Sequence, residues 1–122
     1  MKISIAFVKD IPKIIEISEA TWQHTYAPII SQEQIDFMYE RMYSAAAILQ
    51  QMQEGHTFLL YNDDNQTLGF ISYFIREDQT LYISKLYVKP KIQKSGIGKK
   101  LMGEVEKIAK KNKLLYVELN VN

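Results

Sequence analysis

Cysteine is absent from the chain. That excludes a disulfide framework and a thiolate metal site, and it suits a reducing compartment without demanding one. No run of about 18 apolar residues occurs, so nothing reads as a membrane span. The start, Met1 to Lys9, is too short and too soon charged for a secretory signal. Proline is scarce, with three residues, and each stands where an element begins or stops: Pro12 in a first helical turn, Pro28 in a loop, Pro90 after a strand. These exclusions leave a soluble chain, cytoplasmic by default, with no membrane partner. The 122 residues suit one domain over 1–122, and a hydrophobic content of 47% fits a packed core.

The net charge of +1 hides an asymmetry. Residues 1–84 carry 5 Lys/Arg against 11 Asp/Glu, a balance of −6, whereas residues 85–122 carry 10 against 3, a balance of +7. A phosphate-bearing ligand is drawn to the basic part. Dense arginine and interleaved aromatics, the marks of a nucleic-acid reader, are missing there, so nucleic acid is not an expected partner.

Taken in order, Lys2 to Val8 alternates and predicts a strand. Asp10 is a candidate N-cap for a helix to about His24, with Ile11, Ile14, Ile15, Ser18 and Trp22 on one face. Tyr26 to Ile30 is a loop. Ser31 and Gln34 form a capping-box pattern opening a second helix. Ser44 can cap a third, which runs through Gln53 and ends at Gly55. From Thr57 the period changes. Strands at Thr57–Tyr61, Thr67–Ile75 and Leu81–Val88, joined by short polar turns, predict an antiparallel meander. Ile97, Leu101, Met102, Val105, Ile108 and Ala109 then predict a helix from Ile97 to about Asn112, and Lys113 to Val121 a last strand. A strand–helix–strand unit implies a parallel pair with a right-handed crossover. The order is β-α-α-α-β-β-β-α-β, an α+β chain with a mixed, mostly antiparallel sheet.

Gly96 and Gly98 open the fourth helix. Its first N–H groups lack intrahelical partners, the helix dipole adds positive charge there, and glycine lets a ligand approach closely. That chemistry suits an anion, phosphate above all. A P-loop fails, because Lys100 follows Gly98-Lys99 and Gln93 stands five before Gly98. A dinucleotide fingerprint fails at Leu101, on the long loop from Val88 and on the antiparallel sheet before it.

The pattern Leu86-x-Val88-x-Pro90-x-x-Gln93-x-x-Gly96-x-Gly98, following an antiparallel meander, resembles the acetyl-CoA motif of the GNAT N-acetyltransferase superfamily. Trp22-x-x-Thr25-Tyr26 and the helices after it bear a fainter likeness to the spermidine/spermine branch. The resemblance implies that acetyl-CoA is the co-substrate and that no metal takes part. It places the pyrophosphate on the loop Gln93, Lys94, Ser95, Gly96, Ile97 and Gly98, with Lys99 after it. It pairs the pantetheine arm with the backbone of Leu86 and Val88, where that strand splays from the next. The Val88 amide is implied as donor to the thioester carbonyl, where negative charge develops when an amine attacks. Asn120 is counted with the cofactor residues and Glu118, on the same strand face, as a candidate base. Trp22, His24 and Tyr26 fall where the family forms its acceptor site. Ser84 and Lys85 occupy a stretch where some relatives carry a carboxylate, and an ordinary serine or lysine is a poor base.

Family members usually continue past the last strand with a helix and a hairpin. Ending at Asn122, the chain is expected to be a shortened member, truncated after the fifth strand, whose open edge pairs with a second copy as a homodimer. Three functions follow: acetyl transfer to a primary amine of a small molecule such as a polyamine or of a peptide, CoA binding with weak or no turnover, or a dimerisation module.

Overall fold

The computed structural model describes residues 2–92 and 95–119. Gln93, Lys94 and Asn120 lie outside the described residues. The elements are β1 (Lys2–Ile5), α1 (Ile11–Tyr26), α2 (Gln32–Tyr43), α3 (Ala45–Gln53), β2 (Thr57–Asn62), β3 (Thr67–Ile75), β4 (Thr80–Val88), α4 (Ile97–Lys111) and β5 (Tyr116–Leu119). The five strands form one sheet in the order β1-β2-β3-β4-β5. Every pairing is antiparallel except β4 with β5, which is parallel. The expected α+β order and mixed sheet are what the chain adopts.

Alternation along the strands sends side chains to two layers. Leu59, Ile71, Leu81 and Ile83 pack with Ile97, Leu101, Val105 and Ala109, the apolar stripe of α4. Phe58, Leu60 and Phe70 face the other way, onto Ile11, Ile14 and Ile17 of α1 and Ile48 of α3. Leu101 and Val105 are fully buried, and each such side chain contributes about 1.5–3 kcal/mol relative to exposure.

Local signals set the helix ends. Ser31 Oγ accepts the Gln34 amide at 3.2 Å and Gln34 Oε1 accepts the Ser31 amide at 3.3 Å, a reciprocal box at the start of α2. Ser44 Oγ accepts the Ala47 amide at 3.1 Å. The helix α3 ends with Gly55 at φ +100°, its N–H and that of His56 turned back to Met52 O and Gln51 O.

Three expectations change. The first strand stops at Ile5 rather than Val8, because Val8–Asp10 close a 3-10 turn. Asp10 stands at the N-cap of α1 as expected, but its side chain makes no capping bond to that helix; its carboxylate instead accepts the Phe7 amide at 2.9 Å. That bond is the leading reason its carboxyl titrates below the usual range. The last strand begins at Tyr116, not Lys113. Lys113 instead takes a left-handed φ of 56°, and its N–H and that of Leu114 bond Lys110 O and Ala109 O. This Schellman ending of α4 carries lysine where glycine is usual.

Candidate functional site

The site is organised by a break in β4. Register with β3 runs Ile71 to Leu86 and Ser72 to Lys85, then shifts so that Tyr73 faces Ile83. Ser84 is thus the extra residue of a β-bulge, which bends the strand. Its hydroxyl lies 3.0 Å from that of buried Ser72. The described pairing with β5 covers Thr80 to Ile83, opposite Tyr116 to Leu119.

Beside Leu86 and Val88 lies the start of α4. Gly96 is its N-cap at φ +88°, ψ 1°, a left-handed conformation that costs an L side chain about 1–2 kcal/mol. Helix geometry leaves the N–H groups of Ile97, Gly98 and Lys99 without intrahelical acceptors. A Cβ on Gly98 meets only Val88 Cγ2, at 3.9 Å. The fold itself would accept a side chain there, so the space belongs to the cleft. Leu86, Val88, Ser95, Gly96, Ile97, Gly98 and Lys99 together line a cleft of about 330 Å³. Sequence reasoning had named all seven, and the fold brings them to one surface.

The opposite face of β4 is different in kind. Lys85 and Tyr87 point toward α1–α3. The Tyr87 hydroxyl accepts Trp22 Nε1–H at 3.2 Å and makes a very short contact with the Tyr43 hydroxyl. Burial pushes the Tyr43 phenol well above its ordinary value. Trp22 packs on Tyr26, with centroids 4.7 Å apart, and edge-on to Tyr43 at 5.6 Å. Outside this cluster, Trp22 and Tyr39 wall a groove of about 280 Å³ between α1 and α2, with Glu19, Asp36 and Glu40 at its rim. His24 is not in the cluster. It lines a separate cavity of about 860 Å³ between α1 and the turn after β4, with Lys89, Pro90 and Leu68, and the Lys89 ammonium there reaches Glu16 at 3.3 Å.

Glu118 lies opposite Tyr82 on β5, exposed and ion-paired with Arg76. That places it two residues before the bulge and outside the residues that line the cleft with α4.

Sequence reasoning passed over Lys85 as a base and did not single out His56. The Lys85 ammonium donates to Gln51 Oε1 at 2.8 Å and lies 5.6 Å from the Tyr43 ring centroid and 5.8 Å from that of Phe58. Burial brings its pKa down to about 8. His56 stacks on Phe74 at 4.6 Å, and its buried Nδ1 has no partner among the described residues. Burial, then the charge of Lys85, lower its pKa. No three His, Asp or Glu side chains among the described residues gather to hold a metal ion. None of the described helices is long and apolar enough to cross a membrane.

Comparison with known proteins adds to this geometry. The acetyltransferase (GNAT) domain family matches residues 26–122. A spermidine N(1)-acetyltransferase of Thermoplasma acidophilum is 32% identical over 120 residues, spanning 94% of this chain and 74% of that protein. The crystal structure of the PaiA N-acetyltransferase from Thermoplasma acidophilum in complex with coenzyme A superimposes with a TM-score of 0.86 at 33% identity, over 99% of this chain and 80% of that one. The BH1408 protein of Bacillus halodurans, at 18% identity and a TM-score of 0.77 over 100% of this chain and 83% of that one, shares the fold.

Proposed function

This chain belongs to the GNAT acetyltransferase family, and from that premise we propose that it moves the acetyl group of acetyl-CoA onto a primary amine of a small molecule, a polyamine first, or of a peptide. The observation that carries the reading is the continuity of the start of α4 with Leu86 and Val88 of β4 in a single cleft. An anionic pyrophosphate suits amides at a helix start, where dipole and unpaired donors coincide. Gln93 and Lys94 complete that loop in the proposal. An extended pantetheine arm suits a strand edge at Leu86 and Val88, with Asn120 on the β5 side.

The chemistry follows from this placement. The amine attacks the thioester carbon, and the Val88 amide is assigned the oxygen on which charge develops. The C–N bond forms, the C–S bond breaks, and the thiolate leaves. Trp22 and Tyr26 are assigned to the acceptor side. The rim of Glu19, Asp36 and Glu40 around aromatic rings suits a cationic, flexible amine, by charge and by cation–π attraction. The names of the two Thermoplasma relatives agree with an amine acceptor and with coenzyme A.

One observation favours a second reading, CoA binding with weak turnover: Glu118, the carboxylate singled out as a base, is held by Arg76 at the surface. Calorimetry with CoA and acetyl-CoA tests the cleft, and thiol release across a panel of amines separates the readings. Thiol release with a polyamine supports the transferase; binding without turnover on any amine supports the second reading; no binding removes both. A cytoplasmic location and a homodimer through the β5 edge, whose Tyr116, Val117 and Leu119 are exposed together with Leu115 just before it, complete the proposal. Sedimentation giving only a compact monomer at high concentration would remove the dimer.

A further inference from the structure

A primary amine is an ammonium ion at neutral pH, and an ammonium cannot attack a thioester. A group that accepts its proton must stand on the acceptor side of β4. The one carboxylate expected there, Glu118, is engaged elsewhere. Lys85 is the first residue after the bulge at Ser84, and its ammonium lies by the ring of Tyr43, which packs on Trp22 of the proposed acceptor side. Lys85 directly precedes Leu86, whose Cα is about 3.8 Å away along the chain, and Leu86 lines the cofactor cleft. Alternation puts the two side chains on opposite faces: Leu86 toward α4, Lys85 toward Tyr43 and Gln51.

The environment of Lys85 disfavours its ammonium. Two aromatic rings and a neutral amide surround its nitrogen. No carboxylate among the described residues makes an ion pair with it. The titratable groups around it are few. His56 is lowered, hence uncharged at neutral pH. Tyr43 is raised, hence protonated, and Tyr87 is held in the hydroxyl contact with Tyr43 and Trp22. Glu54, at the end of α3, acts on His56 rather than on Lys85. A buried ammonium with no counter-charge loses its proton readily, which is how lysine becomes a base.

We infer that Lys85 is the proton acceptor for the attacking amine, taking the proton directly or through one water from the α1–α3 face of β4. This rests on the acetyl-transfer reading above. The acceptor ammonium gives one proton to Lys85 Nζ, and its nitrogen then attacks the carbonyl carbon. As the C–N bond forms and the C–S bond breaks, the second proton lost by the nitrogen goes to the CoA sulfur. Lys85 returns its proton to solvent.

The test compares the pH dependence of kcat/KM for wild type, Lys85→Met and Lys85→Arg on one amine, with CoA affinity measured in parallel. Met keeps the apolar stem, and Arg keeps the charge but cannot release a proton. Both should lose about 100-fold or more in kcat near neutral pH, with CoA affinity unchanged. The wild-type profile should bend near pH 8, and the variants should lose that bend. Trimethylamine, a base that yields no stable amide, should restore part of the Met variant's rate. A Met variant with the wild-type rate and bend overturns the inference. So does an NMR titration of wild-type Lys85 at an ordinary lysine value, which decides the matter even if the variants fail to fold. If wild type binds CoA yet acetylates no amine, the transfer reading itself falls and takes this inference with it.

Discussion

Replacing Gly98 by aspartate separates the cleft's role in binding from its role in the fold. Gly98 is the second residue of α4. A Cβ there makes only an ordinary contact, 3.9 Å from Val88 Cγ2, so no packing is disturbed. Leaving glycine for another residue inside a helix gains about 0.5 kcal/mol, and a carboxylate in the first turn gains a further 0.3–1 kcal/mol or so from the dipole. The variant should therefore melt at the same temperature or slightly higher. Binding should move the other way. A carboxylate about 4 Å from a phosphate charge costs roughly 4 kcal/mol at an effective dielectric of 20, close to a 1000-fold loss in affinity. Gly98→Asn has nearly the same shape and no charge, so it isolates the steric part and should fall between the two. Calorimetry with CoA and a thermal melt on the three proteins suffices. An Asp variant that binds CoA like wild type removes the α4 start from the binding site. Equal losses for Asp and Asn would refute the electrostatic argument and leave only bulk.

Gly96→Ala should lose about 1–2 kcal/mol in urea unfolding, since φ +88° is left-handed; a loss below the error of the melt refutes the cap assignment. Lys113→Gly should gain about 0.5–1 kcal/mol, because Lys113 pays a left-handed penalty at φ 56°. Asp10→Ala should flatten the acid limb of the stability–pH curve: its folded pKa is depressed, so its contribution is present above the ordinary carboxyl value and is lost as pH falls through the folded one. Lys85 has the same direction of shift, to about 8, but for a base that means a penalty. Below the folded value the buried ammonium destabilises, and stability recovers as pH rises from about 8 toward the ordinary lysine value. Lys85→Met should therefore be more stable than wild type at pH 7, by about 1–2 kcal/mol once the lost Gln51 bond is deducted from the linkage of at most about 3 kcal/mol, and the gain should vanish in strong base.

Most of the fold was legible because it rests on local signals that agree. The capping box at Ser31 and Gln34, the helix stop at Gly55 and the strand Thr67–Ile75 needed nothing beyond spacing and turn chemistry. The cleft was legible for the same reason, since its seven lining residues lie within Leu86 to Lys99. Errors arose where one residue had two local options. The Asp10 carboxylate could bond the α1 amides or the Phe7 amide, and from the N-cap position it takes the latter. Lys113 could start a strand or end a helix, and its burial-free left-handed turn let α4 finish first.

The acceptor side is a different matter, because its character depends on contacts between residues far apart in sequence. Lysine and glutamate carry no mark of their pKa in a sequence; Lys85 differs from the lysines of α4 only through Gln51, Tyr43 and Phe58. One trace of it was nonetheless written locally. Apolar residues facing α4 recur at Leu81 and Ile83, then at Leu86 and Val88, so the step between Ile83 and Leu86 is three where a strand's period is two. A strand buried on both faces cannot change phase without a bulge, and the bulge must fall on Ser84 or Lys85. The skipped beat moves Lys85 from the α4 layer, beside the cleft that Leu86 and Val88 line, to the α1–α3 layer, where an uncompensated ammonium becomes a stronger acid. The same irregularity thus sets the amine on the face of β4 that carries Tyr87, Tyr43 and Trp22 rather than the one that meets α4.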